Sequence, residues 1–177
     1  LKGMKYFYGE LKSGIDLYAD SQRADGMIWD NIHERGKQPS MWDTRFAYGG
    51  LIRPIENGAY EFKRIPVEND VEYLFIEGLY YTWKATGDDR WMAGLLDRAL
   101  KALRYSTTDP YRWSRKYKLL KRGFTIDTWD FQDAADAATF KGDAMCIHPK
   151  KTRFGVMHGD NTGMAMGCQY LAEMLAH

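Results

Sequence analysis

The sequence predicts a mainly α-helical fold with one small β-hairpin inserted between helices, and three observations carry that expectation. Apolar residues recur at three- and four-residue steps in four segments, the spacing of a helix face. Two of those segments, beginning near Val71 and Asn161, are apolar on almost every side, as a helix covered all round would be. A single Asn57-Gly58 dipeptide stands between β-prone runs, a strong short-range hairpin signal.

From Tyr6 to Ser21, Phe7, Leu11, Ile15 and Tyr18 make one stripe, so a first amphipathic helix is expected, ending before "RADG". "DGMIWD" reads as a brief strand or extended loop, followed by a polar loop "NIHERGKQPS" and an aromatic loop "MWDTRFAYGG". In "LIRPIENGAYEFKRI", Pro54 cannot donate to a ladder and confines the first run of the hairpin to an edge. Val71 to Trp83 is the first all-round apolar helix, and Gly87 in "ATGDD" is its expected C-cap. A second helix follows from about Arg90 to Tyr105. Its stripe of Trp91, Leu95, Leu96, Ala99, Leu100 and Leu103 lies opposite Arg90, Asp97, Arg98, Lys101 and Arg104. An enclosed helix joined tightly to one with a wet face suggests a concentric arrangement, and a helical bundle gives the same local pattern. After the basic loop "YRWSRKYKLLKRG", the last helix is expected from Asn161 to Leu175, with Gly163, Ala165 and Gly167 thinning its first turns.

The chain has 177 residues, enough for one domain with a real core, and neither a linker nor a repeat divides it. A formal net charge of +1 offers no electrostatic footprint for nucleic acid. No apolar run reaches the length of a membrane span. Cys146 and Cys168 have no metal-knuckle spacing, and neither metal nor cofactor is expected. Six Trp and twelve Tyr give an aromatic content of 15%, surface on which sugar rings stack, although a core absorbs many aromatics. "LKGMKYFYGE" has neither initiator Met nor signal core, and "CQYLAEMLAH" is still in helical pattern at its last residue. The expectation is therefore one domain, residues 1–177, cut from something longer.

Four constellations carry polar chemistry. Asn69 stands three residues before Glu72, the spacing of a capping box, while Asn69 and Asp70 also place an amide and a carboxylate where sugar hydroxyls could bind. In "HGDNTG", Asp160 serves as an N-cap or as a functional acid, Asn161 beside it offers an amide, and His158 exchanges protons near neutral pH. "MWDTRFAYGG" brings Trp42, Asp43, Arg45 and Tyr48 together as a loop-fixing ion pair or as a sugar subsite. In "TIDTWDFQ", strand-like alternation puts Asp127 and Trp129 on one face and Asp130 on the other. Separated acids can hold different protonation states, as acid–base cleavage of a glycosidic bond requires.

Taken together, these segments resemble the six-hairpin glycosidase superfamily, the (α/α)6 barrels that include glucoamylases and trehalases. The stretch "ENDVEYLFIEGLYYTWKATGDDRWM" looks like an inner helix, turn and outer helix of that barrel. "TIDTWDFQ" is similar to the acid-bearing loop of glucoamylases, with Asp where they carry Glu at the position of Asp130. The resemblance implies a fragment of an (α/α)6 barrel with a β-hairpin insertion, contributing about four of twelve helices. It implies a glycoside hydrolase, of a kind that commonly inverts configuration, with Asp130 as general acid, Asp127 on substrate hydroxyls and Trp129 as the subsite wall. Asp160 is the second candidate catalytic acid, and Asn69, Asp70, Trp42, Asp43, Arg45, Tyr48, His158 and Asn161 are candidate substrate-binding residues. A sugar epimerase or polysaccharide lyase on the same barrel, leaning on His158 or a tyrosine, and a non-catalytic carbohydrate-binding protein are the alternatives. The resemblance further implies a carbohydrate partner, a periplasmic or secreted setting, and either the missing remainder of the barrel or self-association to cover the inner helices.

Overall fold

The computed structural model describes residues 10–36, 52–55, 58–123, 147, 150 and 152–177. Among them the elements run α1 (Lys12–Ser21), β1 (Asn31–Glu34), β2 (Ile52–Pro54), β3 (Tyr60–Lys63), α2 (Val71–Thr86), α3 (Asp89–Thr108), β4 (Trp113–Ser114), β5 (Leu119–Leu120), β6 (Arg122–Gly123), β7 (Phe154–Gly155) and α4 (His158–Ala176). The fold is mainly α, with small antiparallel sheets.

Within the described residues α1 begins at Lys12, later than expected. The Glu10 carboxylate accepts the Lys12 and Ser13 N–H groups at 2.7 and 3.0 Å and so satisfies two of the orphan donors of the first turn. The helix stops at Ser21, where the Gln22 backbone turns extended. The Arg23–Gly26 turn that follows depends on Gly26. Its φ is +99°, and a Cβ there would lie 2.2 Å from the Lys101 carbonyl oxygen. This turn drives Met27, Ile28 and Trp29 into the core.

Asn31–Glu34, expected as loop, is instead a strand, because β3 offers it a partner. The three-stranded order is β1-β3-β2, with Ile32 opposite Phe62 and Arg53 opposite Phe62 from the other side. Pro54 lies on the edge strand as expected, and Gly58 turns the hairpin at φ +69° with its N–H on the Ile55 carbonyl.

The capping box at Asn69 does not form. Asp70 occupies the N-cap position of α2 without a side-chain cap, and Glu72 points inward. There the Arg64 guanidinium meets Glu72 Oε2 at 3.1 Å, while Glu72 Oε1 accepts the Ile28 N–H at 3.2 Å. Arg64 also donates to the carbonyls of Ile28 and Glu68. One ion pair thus ties the 27–29 segment, the end of β3 and the first turn of α2 together. Gly87 ends α2 in the left-handed region, with its N–H on the Trp83 carbonyl, and the Asp88 carboxylate then caps α3 through the Trp91 N–H at 2.9 Å.

The fully buried residues of α3 are Met92, Ala99, Ala102, Tyr105 and Ser106, and Trp91, Leu95, Leu96 and Leu103 of the expected stripe pack half-buried against the core, while Leu100 is exposed. Helix directions follow from contacts in register. Tyr73 packs on Gly163, Tyr80 stacks on Tyr170 with centroids 4.3 Å apart, and Lys84 pairs with Glu173, so α2 and α4 run parallel. Lys12 pairs with Asp88, Trp91 donates to Asp16, and Gln22 donates to the Arg98 carbonyl, so α1 and α3 are also parallel and oppose the first pair.

The main core lies among the four helices, built on Ile15, Phe75, Ile76, Leu79, Met92, Leu171 and Met174. Enclosure of α2 and α4 is less complete than all-round apolarity suggests. Leu74 of α2 is 46% exposed and Leu175 of α4 is 51% exposed, while the opposite faces are buried. No helix among the described residues is long and apolar enough to cross a membrane.

Asp30 at the end of the 27–30 segment is largely enclosed. Burial raises its pKa above the ordinary 3.8, against lowering by the Ile65 N–H bond and by Arg64. Nearby Glu72 raises it further, and His33 lowers it. Because the folded state holds this proton more tightly than the unfolded chain, stability from Asp30 is full below the ordinary value and falls as pH rises through the raised one. Urea melts across pH should show that declining limb. The limb should flatten in Asp30→Asn, whose amide oxygen can keep the Ile65 bond; an unchanged limb assigns it to another group.

Candidate functional site

The parallel course of α2 and α4 brings their N-termini to one end of the molecule, and the chain from β5 to β6 passes between them. Two asparagines hold that passage. Asn69 Nδ2 donates to the Lys121 carbonyl at 3.3 Å, while Asn161 Oδ1 accepts the Leu120 N–H at 2.8 Å and Asn161 Nδ2 donates to the Leu120 and Met157 carbonyls. Arg122 then sits between acids, with Nη2 3.4 Å from Glu68 and Nη1 3.6 Å from Asp160. Beyond it, β6 pairs with β7, Arg122 opposite Gly155 and Gly123 opposite Phe154.

Helix α4 starts at His158, with Met157 as its N-cap, so Asp160 is a first-turn residue rather than the cap. An acid in a first turn is favoured by the helix dipole. Asp160 is buried and faces Arg122, whereas His158 is exposed with Nδ1 3.5 Å from Thr162 Oγ1. The amides of Asn69 and Asn161, expected on sugar hydroxyls, are turned to the backbone, and Asn69 is only 1% exposed. Asp70 is half-buried at the start of α2. Trp42, Asp43, Arg45, Tyr48, Asp127, Trp129 and Asp130 lie outside the described residues.

Along the α2–α4 seam runs a cleft of about 350 Å³ whose walls include Tyr73, Glu77, His158, Thr162, Met166 and Tyr170. Tyr73 is the functional candidate that sequence reasoning missed. Its ring rests in a notch made by Gly163 and Gly167, one turn apart on α4. Burial, then the negative fields of Asp70 and Asp160, hold its phenol well above the ordinary tyrosine range, so it remains a hydrogen-bond donor at every physiological pH. The thin first turns of α4 were the sequence signal; what they receive was not readable. A cleft with aromatic walls, a carboxylate, an imidazole and hydroxyls can stack a ring and exchange protons with it.

The notch makes a direct prediction. A Cβ at Gly163 would lie 2.4 Å from the Tyr73 ring. Overpacking of this kind costs about 1–3 kcal/mol and outweighs the roughly 1 kcal/mol that Gly→Ala gains in helix propensity. Gly163→Ala should therefore destabilise in urea melts, and the sign should reverse in a Tyr73→Ala background. Stabilisation by Gly163→Ala in the otherwise unchanged protein would show that the ring is not held there.

No group of three or more His, Cys, Asp or Glu among the described residues could hold a metal ion. Comparison with protein-family models, curated proteins and solved structures finds no match to this chain.

Proposed function

We propose that this chain is part of an (α/α)6-barrel glycoside hydrolase that cleaves a glycan or oligosaccharide by acid–base hydrolysis with inversion. The observation that supports this reading is the alternation of helix direction. The parallel α2 and α4 open their N-termini beside the β6–β7 pair, and "TIDTWDFQ" begins at Thr125, one residue past the end of β6 in sequence. In this reading Asp130 is the general acid, Asp127 and Trp129 bind the sugar, and Asp160, held by Arg122, is the second acid of the site. Tyr73 and Tyr170 give ring-stacking surface along the cleft.

A second reading has one specific observation in its favour. His158 and Tyr73 line the same cleft, and proton transfer by such a pair suits a sugar epimerase or polysaccharide lyase. Incubation of the completed barrel with a panel of neutral, amino and uronic-acid glycans, with product analysis by mass and anomeric NMR, separates the two. Hydrolysed sugars of inverted configuration are expected. Unsaturated products or epimers establish the second reading, and binding without turnover removes both.

A further inference from the structure

The net charge of +1 conceals an uneven distribution. Residues 111–122 hold six of the 25 basic side chains and no acid, which leaves 19 Lys and Arg against 24 Asp and Glu in the rest of the chain. Two of the six serve the fold. Arg112 is 2% exposed and donates to the Pro66 carbonyl, and Arg122 sits between Glu68 and Asp160. The other four face outward in varying degree. Arg115, Lys116 and Lys118 are exposed in the loop between β4 and β5, and Lys121 is half-buried with Nζ 4.9 Å from the Phe154 ring centroid. None of these four pairs with an acid among the described residues.

The loop is held in one shape. The Ser114 carbonyl accepts the Lys118 N–H at 2.8 Å and Ser114 Oγ accepts the Tyr117 N–H at 3.3 Å, while Trp113 opposes Leu120 and Ser114 opposes Leu119 in the ladder. A fixed loop binds with little ordering cost. Lys118 closes the turn at φ +56°, in the left-handed region where glycine sits without strain, so the fold bears strain to keep a lysine at this position. Tyr117 stands between the cations and is 58% exposed, with Lys116 Nζ 4.8 Å from its ring centroid. Beside the loop a groove of about 440 Å³ has Trp113 in its wall, and its charged lining residues, Lys118 and Arg104, are both cations.

We propose that the β4–β5 hairpin binds an acidic glycan, one whose sugar rings carry carboxylate or sulfate groups. Arg115, Lys116, Lys118 and Arg104 take the anionic oxygens, and Tyr117 and Trp113 offer faces for the rings. The choice of a sugar as carrier rests on the carbohydrate reading above; the choice of an anion rests on the hairpin alone. A bilayer is a poorer match, because Tyr117 and Leu119 give the tip little apolar surface to insert. Nucleic acid is poorer too, since its dense phosphates would run on from one short loop to a chain whose other residues include more acids than bases. The same segment continues through Leu120 and Lys121 into the passage between the N-termini of α2 and α4, which makes the hairpin the neighbour of the candidate site.

Titration calorimetry of the unaltered chain with alginate, dextran sulfate and uncharged dextran, repeated over a range of salt, is the experiment. Binding of alginate or dextran sulfate is expected, weakening as salt rises, and the tighter of the two names the acid group. A triple variant, Arg115→Gln with Lys116→Gln and Lys118→Gly, should lose at least about tenfold in affinity, the worth of one hydrogen bond to a charged group. Tyr117→Ala should weaken binding about 2–10-fold, and that loss should persist at high salt. Lys118→Gly alone relieves the left-handed strain, so it should melt in urea no earlier than the unaltered protein, which separates lost binding from lost folding. Four results overturn the proposal: no binding of either charged glycan, equal binding of dextran, undiminished affinity in the triple variant, or tighter hairpin-dependent binding of a single-stranded oligonucleotide or phosphatidylserine vesicles. Hairpin-dependent binding with no turnover of any glycan leaves this subsite standing and removes the catalytic readings; turnover of a neutral glycan without hairpin-dependent binding does the reverse.

Discussion

Glu72→Ala is expected to lose about 3–5 kcal/mol of folding stability, the range for breaking a buried pair by removing one partner. Arg64 is fully buried and the Glu72 side chain is 1% exposed, so the guanidinium left behind could not be hydrated without opening the core. The Ile28 N–H, which Glu72 Oε1 accepts at 3.2 Å, would lose its side-chain acceptor as well. For a domain whose total stability is about 5–15 kcal/mol, that is a large fraction, so the variant should melt at much lower urea concentration. Glu72→Gln removes the charge and keeps an acceptor for only one of the two donors, so it should fall between. The diagnostic comparison is a double variant, Arg64→Met with Glu72→Leu. Replacing both partners by apolar groups removes the uncompensated charge, so the double variant should be more stable than Glu72→Ala alone. If Glu72→Ala melts with the unaltered protein, the ion pair does not hold the 27–29 segment to α2.

The same residue shows how far the fold was readable. Helix existence was legible because apolar spacing reports which face is covered, and Gly87, Pro54 and Gly58 mark their turns through backbone constraints that act locally. Glu72 was read as a capping partner because sequence shows only its distance from Asn69. Its inward turn depends on Arg64 and on Ile28, which is 44 residues away, and no local rule records that contact. Asn31–Glu34 is a strand for a similar reason: its polar residues gain order only when β3 arrives beside them. Which α3 residues are buried most deeply also follows from neighbours. Ala99 and Ala102 sit in the core because they let helices approach, while larger Leu100 is left outside.

At the candidate site, residue type was legible and assignment was not. Asn69 and Asn161 stood out as polar groups at helix starts, which is correct as position. Their amides went to the Leu120 and Lys121 backbone because a chain passing between two helices leaves carbonyl and N–H groups that must find partners. Asp160 stood out as a cap and is a first-turn acid facing Arg122, a partner 38 residues earlier that spacing cannot reveal. Tyr73 gave no signal of its own, since a tyrosine in an apolar helix looks like core until the glycines opposite it are seen.

On the hydrolase reading proposed above, Asp130→Asn is expected to lower turnover about 10²–10⁴-fold on a natural glycoside, the usual worth of general acid catalysis. A general acid must give a proton to the departing glycosidic oxygen, and asparagine keeps the size of aspartate without that proton. Binding should be nearly unchanged, because the proton moves only as the bond breaks; the loss therefore falls on kcat rather than KM. Asp127→Asn should behave differently. A carboxylate that grips hydroxyls acts in the ground state and the transition state alike, so its loss should raise KM as well and leave the acid limb of the pH profile in place. An aryl glycoside with a good leaving group needs little protonation, so it should restore turnover to Asp130→Asn and not to Asp127→Asn. The shorter reach of Asp relative to the Glu of glucoamylases makes position 130 sensitive to length, and Asp130→Glu should retain more activity than Asp130→Asn. Each comparison takes the unaltered protein as reference. Normal turnover of the natural substrate by Asp130→Asn removes this residue from the chemistry and leaves Asp160, against Arg122 at the start of α4, as the next acid to replace.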